Sequence, residues 1–443
     1  MTAPVADAAL GRPLGPTERA FVLLDRGASF NGVHVVRLAG RLDGTVLVAA
    51  LARVQARHPL LRVRIAGSDG ALRYEETTAA IPIEVVPRAG EDAWQATVER
   101  ELNRRFATDG GLLARVVLVD GGERSELVLS HHHVIGDAQS FHLLLDDLLS
   151  GAAELGDGRS PAPLDRLPLR PPLGELLRPS VNGLRRFLFM TRFFFRSLYV
   201  LLFQRPRKLR LDSASPPEAR ANRLVHRALT LDETTALAAR CRREGASVQS
   251  ALAAALLHGA AIDLALNTPT PIGCFAGVSL RPHLTPRVDE EMGLYMSQAA
   301  TYHRVATDDA PWPRAREITQ ALERTLAAGE HFITLPMMGS FIPRGDHPGP
   351  TFIRRFDGAS SAAVGVTNLG RVPLRPRYGH LTVEGFEIAV GASVVGRLLA
   401  AVTTFGGALS FNVVFVEPLI GRDRATRIAD AALAHLRRAL ASR

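Results

Sequence analysis

The chain has 443 residues, 47% hydrophobic and 22% charged, a globular balance long enough to bury a large core in two lobes or domains. Its net charge of +9, carried almost entirely by arginine, favours acidic partners: a carrier protein, a phosphate-bearing cofactor, an anionic membrane or nucleic acid. With aromatics at 6% and no nucleic-acid motif, nucleic acid is excluded first. Two cysteines, Cys241 and Cys274, form neither a disulfide framework nor a CxxC ligand pair, and Met1 to Pro16 lacks a signal-peptide pattern, so the cytoplasm is the expected compartment.

Residues 1–16 read as a loose leader. Order begins at Pro16–Asp25 and continues into a strand over Asn31–Leu38; Val46, Leu47, Ala50, Leu51 and Val54 share one face of a helix that ends at His58-Pro59. A short strand at Ile81–Val86 and a helix containing Trp94 and Leu102 follow. The apolar strand Leu127–Leu129 then runs into His131-His132-His133, with Asp137 four residues later, and a helix with Phe141, Leu144, Leu145 and Leu148 at helical spacing comes next. Strand alternation puts His131 and His133 on one face and His132 on the other.

Residues 151–178 read as a Pro/Gly-rich connection. Val181–Arg210 mixes phenylalanines with arginines and contains no acidic residue. Its repeated arginines argue against a membrane-spanning helix. Two readings stay open: a basic amphipathic helix on an anionic surface, or a crossover helix pair whose phenylalanines pack on the lobes. A second lobe follows, with a strand over Arg223–Leu231, a helix over Glu233–Arg243, an alanine-rich helix to about Leu264 and a strand Pro271–Leu280 ending at Arg281-Pro282. A helix at Pro313–Ala328, strands at Ala363–Thr367 and Gly407–Phe415 and a closing helix Arg422–Leu440 complete it. The division expected is leader 1–16, first lobe 17–175, crossover 176–220 and second lobe 221–443.

His132-His133-Val134-Ile135-Gly136-Asp137 matches the HHxxxD core of the condensation-domain superfamily, which is similar in fold to chloramphenicol acetyltransferase. The opening order, a strand, Leu42-Asp43, a helix and Arg57-His58-Pro59-Leu60-Leu61-Arg62, resembles the same family, as do Arg281-Pro282 and Gly293-Leu294-Tyr295-Met296-Ser297. The resemblance covers nearly the whole chain from residue 16. It is closest in look to polyketide-associated and wax ester/diacylglycerol-type O-acyltransferases. It implies a two-lobed, V-shaped α/β sandwich pair with a tunnel between the lobes, and transfer of an acyl group from a coenzyme A or acyl-carrier-protein thioester to a small-molecule or lipid alcohol. The thioester is a substrate and no cofactor or metal is bound. Amide formation, and a non-catalytic scaffold, are the alternatives.

The resemblance assigns His133 as general base, a task that suits an imidazole at neutral pH; no GxSxG nucleophile elbow is present. Strand alternation turns His132 to the other side as a structural anchor, and the resemblance makes Asp137 a structural partner of Arg281 that can also cap the following helix. His131 can line the channel or fill the core, and with His133 and Asp137 it resembles a zinc triad that no further ligand spacing supports. Gly136, Ala138, Asn368, Ser393 and Asn412 are the remaining channel candidates. Ala138 stands where the family has glycine, which points to an altered channel or an inactive homologue. Peripheral membrane contact through 181–210, at the inner face, completes the expected partners.

Overall fold

Valine-rich alternation in the first half and alanine-rich helices in the second build two six-stranded sheets. The computed structural model describes residues 11–108, 110–177, 181, 183–343, 348–391, 393–394 and 396–442. The first sheet runs Arg377–Tyr378, Leu381–Val390, Asn31–Ala39, Arg124–His132, Ala114–Asp120, Ile83–Pro87. Helices Pro16–Asp25, Gly44–Arg57 and Ala138–Gly156 cover one face. Asp43 caps the second of these by accepting from Thr45 N at 2.8 Å.

The second sheet runs Met296–Val305, Thr270–Ser279, Ala362–Arg371, Leu398–Phe405, Ala408–Glu417, Ala221–Ala228, under helices Val248–Asp263, Pro311–Ala327 and Arg422–Ala441. The expected elements therefore all form, with ends shifted by a few residues. The helix after the histidines runs on to Gly156, through residues expected in the connection, because Leu148, Leu149 and Ala152 keep its apolar face in the core.

Two parts of the expected division change. Residues 1–10 of the leader lie outside the described residues, but Gly11–Pro13 pairs with Arg73–Glu76 as an edge strand. Arg12 pins it, gripping Glu18 at 2.7 and 2.8 Å and the Arg170 carbonyl at 2.8 Å. Likewise 377–390, expected in the second lobe, joins the first sheet: Leu381–Val390 lies antiparallel to Asn31–Ala39. Of the crossover, 178–180 and 182 lie outside the described residues.

Between the sheets sits the helix Ala93–Asn103, whose Trp94, Val98 and Leu102 pack with Val33, Val35, Leu224 and Val414. Asn412 brackets the lobes here. It is buried, bonds His226 Nδ1 at 3.0 Å and donates to the Ile388 carbonyl at 2.9 Å. Replacing it by alanine orphans a buried carbonyl, so Asn412→Ala is expected to lower unfolding free energy by about 1–3 kcal/mol in urea titration; an unchanged midpoint would show that the bracket carries no load.

Candidate active site

The strand Arg124–His132 ends in the core and the chain tightens into a 3-10 turn at His133–Ile135 before the helix starting at Ala138. Tyr74 fixes the turn by donating to the Val134 carbonyl at 3.1 Å. His132 is fully buried, and its Nδ1 accepts from Val134 N at 3.0 Å while Nε2 lies 3.8 Å from Asp25. That geometry is an anchor's.

His133 has left the strand, and its ring sits between Phe21 and Phe30, 5.4 and 5.6 Å away centre to centre. Its Nδ1 lies 2.9 Å from the Gly136 carbonyl, so Nδ1 carries the proton and Nε2 is left as the basic nitrogen. Burial lowers the His133 pKa below its ordinary value, partly offset by backbone hydrogen bonds and by Asp137. At neutral pH the imidazole is uncharged and able to accept a proton.

His131 resolves into wall and core at once. Its ring stacks on Phe141 at 3.7 Å, its Nδ1 lies 3.1 Å from the His132 carbonyl, and His34 Nε2 is 3.4 Å from its Nε2. A side chain at Gly32 would fall 2.3 Å from His131 Nε2, so only glycine fits there. Burial, with His34 and His133 nearby, pushes His131 well below the ordinary histidine range, and burial pushes His34 down to about 3.

Asp137 and Arg281 are both buried and meet at 2.7 and 2.9 Å. The carboxylate also accepts from Ser140 N at 3.0 Å, capping the helix, and from Tyr295 N at 3.2 Å. Arg281 adds a 2.8 Å bond to Ser140 Oγ and lies 5.0 Å over the Tyr295 ring. Burial alone would raise the Asp137 pKa, but Arg281 and the Ser140 donors hold it below the ordinary carboxylate value. Ser140 has no motif signal beyond the Asp-x-x-Ser cap spacing, and Tyr295 lies within the family-like Gly293-Leu294-Tyr295-Met296-Ser297, where no role is assigned to it from sequence. Among the described residues no three His, Cys, Asp or Glu side chains gather in metal-ligating geometry.

Two cavities meet at His133 and share Gly277, Met296, Thr367 and Val390. The larger, about 590 Å³, is walled by Phe21, Phe30, Phe193, Phe275, Met337 and Met338, with Arg196 and Glu330 as an ion pair inside it. The smaller, about 120 Å³, is lined by His131, Ala138, Gln139, Ser279 and Asn368. Three channel candidates lie elsewhere. Gly136 borders neither cavity; it is extended at φ 179° and small because a Cβ would meet Phe141 at 2.5 Å. Ser393 donates to Asn222 Oδ1 at 2.9 Å, and Asn412 brackets the sheets, so both are spent on structure. Ala138 opens its helix without the left-handed φ that would demand glycine.

Two family models tile the chain without overlap: the condensation domain matches residues 21–167, and the phthiocerol/phthiodiolone dimycocerosyl transferase C-terminus matches residues 218–414. The chain belongs to the condensation-domain superfamily. This condensation-fold chain is 18% identical to polyketide synthase associated protein 5 of Mycobacterium tuberculosis (TM-score 0.69, 96% of this chain and 97% of that one). It is 12% identical to the trichothecene 15-O-acetyltransferase of Fusarium sporotrichioides (TM-score 0.76, 98% and 96%). Among curated proteins it is 31% identical over 143 residues to a nonribosomal peptide synthetase of Claviceps purpurea, and 29% identical over 319 residues to the probable synthetase CymA of Salinispora arenicola. It spans only 7% and 4% of those two proteins. Its two-lobed architecture is that of the acyltransferase-type condensation fold.

Removing either partner of the Asp137–Arg281 pair strands a buried charge, so Asp137→Ala and Arg281→Ala are each expected to cost about 3–5 kcal/mol, and the double variant less than their sum. Additive losses in a urea double-mutant cycle would show the two acting independently. The pH profile has two stages. The depressed histidines bind protons more readily when unfolded, so stability is whole above about pH 6.5 and falls as pH drops below it. Asp137, also depressed, holds its contribution above about pH 4 and loses it as pH falls through its native value. Urea midpoints from pH 8 to 3 check this; a midpoint that does not fall between pH 7 and 5 would contradict the first stage.

Proposed function

We propose that the protein transfers an acyl group from a coenzyme A or acyl-carrier-protein thioester to an alcohol, with His133 as general base. The observation that carries this is the Nδ1 contact of His133 with the Gly136 carbonyl, which leaves Nε2 basic where the two cavities meet. Acceptor oxygen attacks the thioester carbonyl as Nε2 takes its proton; the C–O bond forms, the C–S bond breaks, and the proton passes to the departing thiolate. No acyl-enzyme and no bound cofactor take part, the thioester being itself a substrate. His132, Asp137 and Arg281 hold the turn and do not touch the reacting atoms.

A cavity of about 590 Å³ walled by phenylalanine and methionine suits a long apolar acyl chain or lipid alcohol. Ester formation is favoured by the match to a dimycocerosyl transferase C-terminus and by the likeness to a trichothecene 15-O-acetyltransferase. A second reading, amide formation, draws on the nonribosomal peptide synthetase relatives. The cytoplasm is the proposed compartment, where such thioesters form, with contact to the inner face of the membrane through 181–210.

His133→Ala is expected to lower turnover by about 10²–10⁴-fold, read as thiol release from an acyl-coenzyme A and acyl-carrier-protein series with alcohol and amine acceptors. Product mass separates ester from amide. In the wild type, kcat/KM should fall on the acid side only below about pH 6.5, since burial depresses the His133 pKa. Turnover unchanged in the variant would remove His133 as base; no turnover with any donor would favour a non-catalytic scaffold.

A further inference from the structure

Helix Gly183–Gln204 is 22 residues long, and by length and composition it is apolar enough to cross a membrane. Its two faces do different work. Phe189, Phe193, Arg196 and Val200 form an inward stripe. Phe189 stacks on Phe332 at 5.9 Å, Arg196 pairs with Glu330 and donates to the Ala300 carbonyl at 2.5 Å, and Val200 is buried. Phe193, Arg196 and Val200 are also wall of the larger cavity.

The opposite stripe is Leu184, Phe187, Thr191, Phe194, Leu198 and Leu202, spaced three or four residues apart. Thr191 spends its hydroxyl on the Phe187 carbonyl at 2.9 Å, so this pole presents no unsatisfied hydroxyl hydrogen. Leu184, Phe187, Phe194, Phe195, Leu201 and Phe203 are each between 61% and 73% exposed. The crossover-packing reading therefore holds for the inward phenylalanines and fails for the outward ones. Arg185, Arg186 and Arg192 flank the apolar pole on the sides nearer the protein body, Arg205, Arg207, Lys208 and Arg210 follow it, and no acidic residue occurs from 176 to 211.

We propose that this helix lies in the headgroup layer of an anionic bilayer leaflet, apolar pole inward to the acyl chains, and that the cavity it walls takes its long-chain substrate from that leaflet. A surface helix with a wide apolar pole and arginine flanks has the form of an in-plane anchor, because the arginines reach lipid phosphates as the pole sinks. A spanning orientation would pull the inward stripe off the Arg196–Glu330 pair and open the cavity wall. The substrate route rests on His133 as the site of transfer; the docking does not.

Flotation of the full chain with vesicles of phosphatidylcholine containing phosphatidylglycerol tests the docking without any turnover. Binding to these vesicles is expected to exceed binding to pure phosphatidylcholine and to weaken with added salt. The outward triple variant Phe187→Ser, Phe194→Ser, Phe195→Ser should lose binding by at least about tenfold with thermal unfolding unchanged. A second variant, Arg185→Gln, Arg186→Gln, Arg192→Gln, should erase the preference for anionic vesicles. In the triple variant, transfer to an acceptor embedded in vesicles should fall about as much, while transfer to a short soluble acceptor stays level. No vesicle binding, binding untouched by the triple variant, resistance to carbonate extraction (a spanning helix), or a concentration-dependent dimer in place of vesicle binding would each overturn the proposal. Vesicle binding without any acyl transfer would leave the docking standing and remove the function assigned to His133.

Discussion

A carboxylate and a guanidinium, drawn from positions 144 residues apart and both buried, hold the two halves of this chain at one point. Neither charge survives burial alone at acceptable cost, so Asp137 and Arg281 constrain each other and everything bonded to them. Asp137 fixes the first turn of Ala138–Gly156 through Ser140 and receives Tyr295 N from the other half. His133 lies between that cap and the end of its own strand. The position of His133 thus depends on a contact between lobes as well as on the strand that precedes it.

Around this contact a run of close approaches sets the histidines. Gly32 leaves room for His131, His131 stacks on Phe141, and Phe141 presses on Gly136, whose carbonyl faces His133 Nδ1. Each step is a packing requirement, and the last converts packing into chemistry by choosing the tautomer. Protonating any of His34, His131 or His133 would place charge among apolar neighbours, which is why burial moves all three in the same direction.

Much of the fold was legible because periodicity and turn residues are local. The strand into the histidines, the cap at Asp137 and the helix pattern of Phe141, Leu144, Leu145 and Leu148 all lie within one short stretch. The Asp137–Arg281 pair was reachable only through family likeness, since nothing local in either residue names the other. What stayed hidden was set by tertiary geometry. Residues 377–390 fall within the expected second lobe, and the pairing of Leu381–Val390 with Asn31–Ala39 depends on the chain crossing back to the first sheet. Ser393, in a turn, and Asn412, on Ala408–Glu417, are polar residues of the second half, yet their side chains point to Asn222, His226 and Ile388 rather than to the cavities. In the 183–204 helix, phenylalanine content alone could not say which rings face the body; the inward stripe became visible only once Glu330 and Phe332 were in place.

Ala138 is the departure from the family pattern at the histidine motif. A glycine there could serve a left-handed backbone, but Ala138 opens a helix in ordinary conformation, so alanine imposes no backbone strain. It stands on the wall of the smaller cavity, while His133 is oriented by the Gly136 carbonyl and flanked by Phe21 and Phe30. The residue therefore narrows the space on that side without displacing His133 Nε2. Against a neighbouring cavity nearly five times larger, that narrowing makes the two approaches to His133 unequal: one is slender, the other wide and walled by apolar side chains.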